Sequence, residues 1–197
     1  LPVTEIPHIH YVSPDGDLAT IRDTFQAVFS AHVIEHQPCL LSHLRQVARL
    51  LTPGGFYFLV IPDKRYCFDH FLSESSIADV LSAFQEQRTR HTLASVIEHG
   101  VFTTHNDIQR HWKGDHEDPG FGDTLVNRIH AAIELYKNAQ GSYIDVHAWQ
   151  FVPDTFRSIV TLLHSLELLD LYPVMVYDTP YDRQEFTAVL SKIAAQK

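Results

Sequence analysis

The chain has 197 residues, 45% hydrophobic and 20% charged, with 15 basic against 24 acidic residues and a net charge of −9 at pH 7. Those values describe one ordinary globular domain and exclude a nucleic-acid backbone as the main partner, because there is no surplus of cations to release counterions. Two cysteines, Cys39 and Cys67, exclude a disulfide framework, no apolar run has the length of a membrane span, and the first residues, LPVTEIPHIHYV, lack the basic-then-apolar pattern of a secretion signal. A cytoplasmic protein with no membrane partner is the expectation. The chain has no initiator methionine and its single Met is Met175, so it is expected to be part of a longer protein.

In chain order, alternating apolar residues over 6–12 predict a strand, and Ser13-Pro14-Asp15-Gly16-Asp17 predicts a turn. Residues 27–31 form a short apolar run that suits a buried strand. His32, Glu35 and His36 then place three titratable side chains at its end, and Pro38 bars a helix from running back through them. Leu40, Leu41, Leu44, Val47, Ala48 and Leu51 recur at three- and four-residue steps, predicting a helix over 39–51. Thr52-Pro53-Gly54-Gly55 stops it. Residues 56–61 are continuously apolar, as in a parallel strand covered on both faces. The result is a strand-helix-strand unit with polar clusters at both carboxyl edges, the place where ligands bind in open α/β sheets.

Further on, Ser76-Ile77-Ala78-Asp79 matches a capping box and starts a helix with Ile77, Val80, Leu81 and Phe84 on one face. A weaker helix covers 93–99. The polar, Gly- and His-rich stretch 103–123 reads as a loop, and Leu125, Val126, Ile129, Ile133 and Tyr136 mark another helix, closed by Gly141. Residues 70–141 therefore read as a helical insertion, positioned to shape a substrate pocket. Residues 143–151 are expected to be extended, Pro153 opens a helix in its first turn, and 168–177 and 185–193 read as two strands joined by a turn.

The stretch QAVFSAHVIEH…LTPGG (26–55), with PDKRYCFDHF (62–71) and YIDVHAWQFVPDTF (143–156), resembles the class I S-adenosylmethionine-dependent methyltransferases, type 11-like, and within them a bacterial subgroup associated with surface-polysaccharide gene clusters. The resemblance implies a three-layer Rossmann-like α/β fold that is N-terminally incomplete here. It also implies a closing antiparallel strand pair, methyl transfer to a small-molecule or glycan-type acceptor in polysaccharide biosynthesis, and S-adenosylmethionine as cofactor. On the adenine side it points to Asp15, Asp17 and Leu18, with Ser30 and His32 nearby. The other reading of Asp15 and Asp17 is an Asx-type turn.

Methyl transfer needs alignment of the reacting atoms and removal of a proton. A histidine at the strand edge suits the proton step, and His36 and His147 are the candidates. Each has a second reading as a histidine satisfied by a backbone carbonyl. Lys64 and Arg65, beside Asp63, suit an anionic acceptor such as a sugar phosphate or uronate, or else form a solvated turn with a surface ion pair. His32, Glu35 and His36 spell H-x-x-E-H, yet the peptidase reading needs all three on one helix, which Pro38 prevents. No metal is assigned. A divalent ion at these three residues is weakened by His32, where related enzymes with a metal carry an acid. His99, His105, His111 and His116 are not spaced as a compact zinc motif and read as a solvated loop.

None of the eight glycines forms, after a strand, the Gly-rich loop that the resemblance assigns to the methionine and ribose parts of the cofactor. Three explanations stand open: a fragment of a complete enzyme, an inactive methyltransferase-like binding domain, or a site completed by a partner. Weak or absent cofactor binding is expected of residues 1–197 alone. The strand at 27–31 is expected to present an open edge, through which a homodimer forms.

Overall fold

The computed structural model describes residues 9–13, 16–117, 122 and 124–193. A turn of 3-10 helix at Leu18–Thr20, capped by Asp17, precedes strand β1 (Phe25–Ala31). A second 3-10 turn, Ile34–His36, leads past Pro38 into helix α1 (Leu40–Leu50). Strand β2 (Leu51–Pro62) follows at once. β1 and β2 pair in parallel, with Val28 opposite Tyr57 and Ser30 opposite Leu59, so the expected strand-helix-strand unit is present. Helices α2 (Ile77–Gln85), α3 (Leu93–Val101), α4 (Ile108–Trp112), α5 (Leu125–Asn138) and α6 (Pro153–Ser165) come next. The chain ends in an antiparallel hairpin of β3 (Leu171–Val176) and β4 (Glu185–Lys192), also as expected. β4 lies between β2 and β3, giving a mixed sheet in the order β1-β2-β4-β3.

One face of the sheet carries the main core. Tyr57, Leu59 and Ile61 of β2 and Phe186, Ala188 and Leu190 of β4 pack against Leu40, Leu41, Leu44, Val47 and Ala48 of α1 and against Phe156, Ile159, Val160 and Leu163 of α6. The α1 residues are the ones that helical periodicity puts inside. The predicted capping box starts α2: Ser76 Oγ accepts from Asp79 N, and Asp79 accepts from Ser76 N. Pro153 opens α6 at its first turn. Val152 cannot cap, and instead its N–H donates to the Thr155 hydroxyl at 3.1 Å.

Several expectations are corrected. The described residues form two layers, not three. Phe29 is 67% exposed, and Phe56 and Phe58 are each 40% exposed on the face turned away from α1 and α6. An unbroken apolar run does not distinguish a strand covered on both faces from one with a bare apolar face. Of the predicted first strand, residues 6–8 lie outside the described residues, and Ile9 to Val12 form no strand; Ile9 and Val12 are exposed. Within the predicted loop 103–123, α4 forms, because Asp107 caps it by accepting from Arg110 N. Residues 143–150 form no strand, and only Phe151 makes an isolated bridge, to Asp63. The insertion is also divided. Val80 and Ala83 of α2 belong to the main core, whereas Val96 and Val101 of α3 and Ala132 of α5 form a second cluster with Val146. Among the described residues, no helix is long and apolar enough to cross a membrane. Cys39 and Cys67 are buried free thiols.

Candidate functional site

At the carboxyl edge of β1 the chain makes a sharp turn. His32 adopts a left-handed backbone conformation (φ +52°), while its N–H still donates to Val60 O at 3.1 Å. That bend sends the Ile34–His36 turn under the strand, with Ile34 fully buried and Glu35 only 1% exposed. The backbone carbonyl of Glu35 accepts from Ala148 N (2.7 Å) and Trp149 N (3.3 Å), and Trp149 Nε1 donates to Gln37 O. Two segments more than a hundred residues apart are thereby locked together, and His147 is brought to His36.

The two predicted base candidates are neighbours: their rings cross edge-to-face with centroids 4.6 Å apart. His147 is 5% exposed, and its Nδ1 lies 2.6 Å from Asp69 Oδ2. The buried carboxylate only accepts, so Nδ1 carries a proton and donates it to Asp69. Phe68 packs beside the His147 ring at 4.7 Å. His99, delivered by α3, accepts from the His147 backbone N–H at Nδ1 (3.3 Å). His36 Nδ1 is 2.9 Å from Asp145 Oδ1, close enough to pair electrostatically but off the hydrogen-bond direction, and His36 Nε2 is 3.8 Å from Glu35 Oε1. His32 lies 3.6 Å from Glu35 and 3.4 Å from Glu185.

Both carboxylate oxygens of Glu35 are buried without a hydrogen-bond partner. Burial pushes the Glu35 carboxyl above the usual carboxylate range, opposed by its own backbone hydrogen bond and by the positive fields of His147 and His32. Burial pushes His36 and His99 down, and the neighbouring His147 adds to this. Glu35, His36 and His147 each offer a ligand atom, all within 4.8 Å of one another. One carboxylate, two imidazoles and an Asp69–His147 support also make a donor set that fits a divalent cation.

The other predicted residues are placed as follows. Asp15 lies outside the described residues. Asp17 Oδ1 accepts from Ala19 N (2.8 Å) and Gln46 Nε2 (3.3 Å), which is the capping role open to it in the sequence. Leu18 packs on the main core. Gly16 and Asp17 line a cleft of about 700 Å³ whose other wall includes Gln37, Pro38, Cys39, Ser42 and His43. Ser30 faces the core and bonds Tyr57 OH at 2.7 Å. Asp63 is fully buried. It accepts from Arg65 Nε (2.9 Å) and Nη2 (2.6 Å), from Arg65 N (3.0 Å) and from Thr179 Oγ1 (2.6 Å). Lys64 Nζ donates to His70 O at 2.8 Å. The Asp63-Lys64-Arg65 turn is thus an internal brace, with the guanidinium of Arg65 half exposed.

The sequence does not signal Asp69 and Asp145, and the solvated-loop reading of His99 is corrected, because α3 delivers it to the His147 backbone. Asp69 stands 78 positions from His147, and no local spacing signals such a pair. The loop histidines are also corrected: His111 is 2% exposed and packs with His70, His105 and His116. Burial, before the neighbouring imidazoles, pushes His111 and His116 below the ordinary histidine range.

A scan against protein-family models gives no match to this chain, and a search of curated proteins gives none either.

Proposed function

We propose that the chain carries the adenine and acceptor sides of an S-adenosylmethionine-dependent methyltransferase acting on a small-molecule or glycan-type acceptor. The observation that carries this reading is the Asp69–His147 pair, set with His36 and Glu35 at the carboxyl edge of parallel strands. The antiparallel hairpin that completes the sheet supports it. So does the cleft beside Asp17, which shares the 34–38 segment with the histidine cluster and has room for a planar base.

S-adenosylmethionine, when bound, supplies an electrophilic methyl group. His147 takes the acceptor proton at Nε2, and Asp69 holds the ring in the required tautomer and stabilises the imidazolium that forms. His36 packs edge-on against His147 and keeps its orientation. A divalent cation held by Glu35, His36 and His147 would polarise an acceptor oxygen and compete with the base role for His147 Nε2.

A specific observation favours a second reading, an inactive binding domain. Glu35 and His147 are almost wholly buried, and among the described residues no Gly-rich loop follows a strand to grip the cofactor.

Calorimetric titration with S-adenosylmethionine separates the two. Each missing charged hydrogen bond is worth about 1.5–3 kcal/mol, and each 1.4 kcal/mol is about tenfold in affinity. Residues 1–197 alone should therefore give no micromolar binding, and a longer protein that contains the loop should bind and transfer. In that protein, His147→Gln should lower kcat by roughly a hundredfold or more and leave cofactor affinity unchanged. Binding without transfer to any acceptor supports the second reading, and no binding by the longer protein sinks the first.

A further inference from the structure

His70, His111 and His116 each present a ring nitrogen, and the three atoms lie within 4.8 Å of one another. Two of the tautomers are fixed by backbone carbonyls, which only accept. His70 Nδ1 donates to Arg65 O at 2.9 Å, leaving Nε2 with its lone pair, and His111 Nε2 donates to His105 O at 3.0 Å, leaving Nδ1 with its lone pair. His111 Nδ1 is 2.9 Å from His116 Nδ1. Two ring nitrogens come that close only when a proton or a cation lies between them. Metal-ligating histidines almost always hand their second N–H to a carbonyl or carboxylate in this way.

The frame around these rings is built. Thr104 N donates to Phe68 O (2.9 Å), Lys64 Nζ to His70 O (2.8 Å) and Thr104 Oγ1 to His116 O (2.6 Å). Tyr66 stacks on Trp112 at 3.9 Å, and Arg110 holds Asp115 at 2.8 Å. The turn bearing His70 and the α4 segment bearing His111 and His116 are thus fixed to each other without any ion.

We propose that His70 Nε2, His111 Nδ1 and His116 Nδ1 form a binding site for Zn²⁺ or a similar borderline-soft divalent cation, with a fourth position open. Three neutral imidazoles suit such cations and not Mg²⁺, which prefers oxygen. In the ion-free form the His111–His116 contact is a hydrogen bond between ring nitrogens. On loading, the bridging proton leaves that position, His116 carries its N–H at Nε2, and its ring tilts off the His70 face on which it stacks at 3.6 Å. Since Asp69 and His70 are consecutive, the cation also clamps the turn that presents Asp69 to His147.

The test is calorimetric titration of chelator-stripped protein with Zn²⁺, and separately with Mg²⁺, alongside the Tm with and without Zn²⁺. His111 is buried and its replacement endangers the fold, so the variants are His70→Gln and His116→Gln, both at half-buried positions. His36→Gln serves as the control that disables the Glu35–His36–His147 cluster. The expected result is a Zn²⁺ site that Mg²⁺ does not fill, weakened on the order of a hundredfold in either variant and retained in His36→Gln, with a Zn²⁺-dependent rise in Tm that His116→Gln abolishes. Equal Zn²⁺ affinity in the parent and His116→Gln chains overturns the assignment. So does binding that survives both variants and disappears in His36→Gln, or a site that Mg²⁺ fills as well as Zn²⁺.

Discussion

His43 sits behind β2, with its Nε2 3.5 Å from Tyr57 OH, and burial pushes it from its ordinary 6.5 down to about 4. The folded value is below the unfolded one, so the unfolded chain takes up the proton first as pH falls. The stability from neutral His43 is present above 6.5 and is lost between 6.5 and about 4. His36, His91, His99, His111 and His116 shift the same way through burial, and Glu35 shifts oppositely, losing stability as pH rises above the ordinary carboxylate range. Burial raises Glu98 as well, and the six histidines outnumber these two glutamates. The urea midpoint should therefore fall from pH 7 to pH 5, at up to about 1.4 kcal/mol per pH unit for each neutral histidine, and His43→Gln should flatten part of that slope. A midpoint equal at both pH values would contradict the burial of these rings. None of this was legible in the sequence, because a histidine's burial depends on which distant segments cover it.

At the scale of elements, the start of β2 shows how far local sequence reaches. Thr52-Pro53-Gly54-Gly55 predicts a helix stop, and α1 does end at Leu50. The same residues also form an irregularity in the sheet, with Phe25 opposite Leu51 but Ala27 opposite Phe56. Gly54 has φ +78°, whereas Gly55 is demanded by space: a Cβ there would lie 2.9 Å from Thr52 O and 3.0 Å from Gln26 O. Both neighbours are backbone atoms and cannot rotate away. Gly55→Ala should cost about 1–3 kcal/mol of stability through this crowding, against about 1 kcal/mol for Gly54→Ala, where only the left-handed conformation is penalised. Denaturant unfolding of the two variants checks the order. The turn was visible from Pro and Gly; the close approach of Gln26 was not, because that residue comes from the preceding strand.

For the whole molecule, the decisive feature is the bare sheet face beside an edge. β1 has a neighbour on one side only among the described residues, and Phe29, Phe56 and Phe58 stand exposed on the face away from the helices. An apolar face next to unpaired strand groups favours pairing with another chain. Sedimentation should show a mass that rises with protein concentration, and Phe29→Lys should shift it toward monomer. A monodisperse monomer at all concentrations would count against this.

The sequence by itself determined the strand-helix-strand unit, the starts of α2 and α6 and the closing hairpin, because periodicity, caps, Pro and Gly act over a few residues. It also placed polar side chains at the end of β1, since strand and turn signals there are local. Tertiary structure alone decided the rest. It assigned Asp63 to an internal brace, supplied Asp69 to His147 and gathered His70 with the histidines of the α4 segment. It also left one sheet face bare. Those outcomes depend on contacts between residues far apart in the chain, and a buried ion pair or a cluster of rings leaves no periodic trace in the residues that build it.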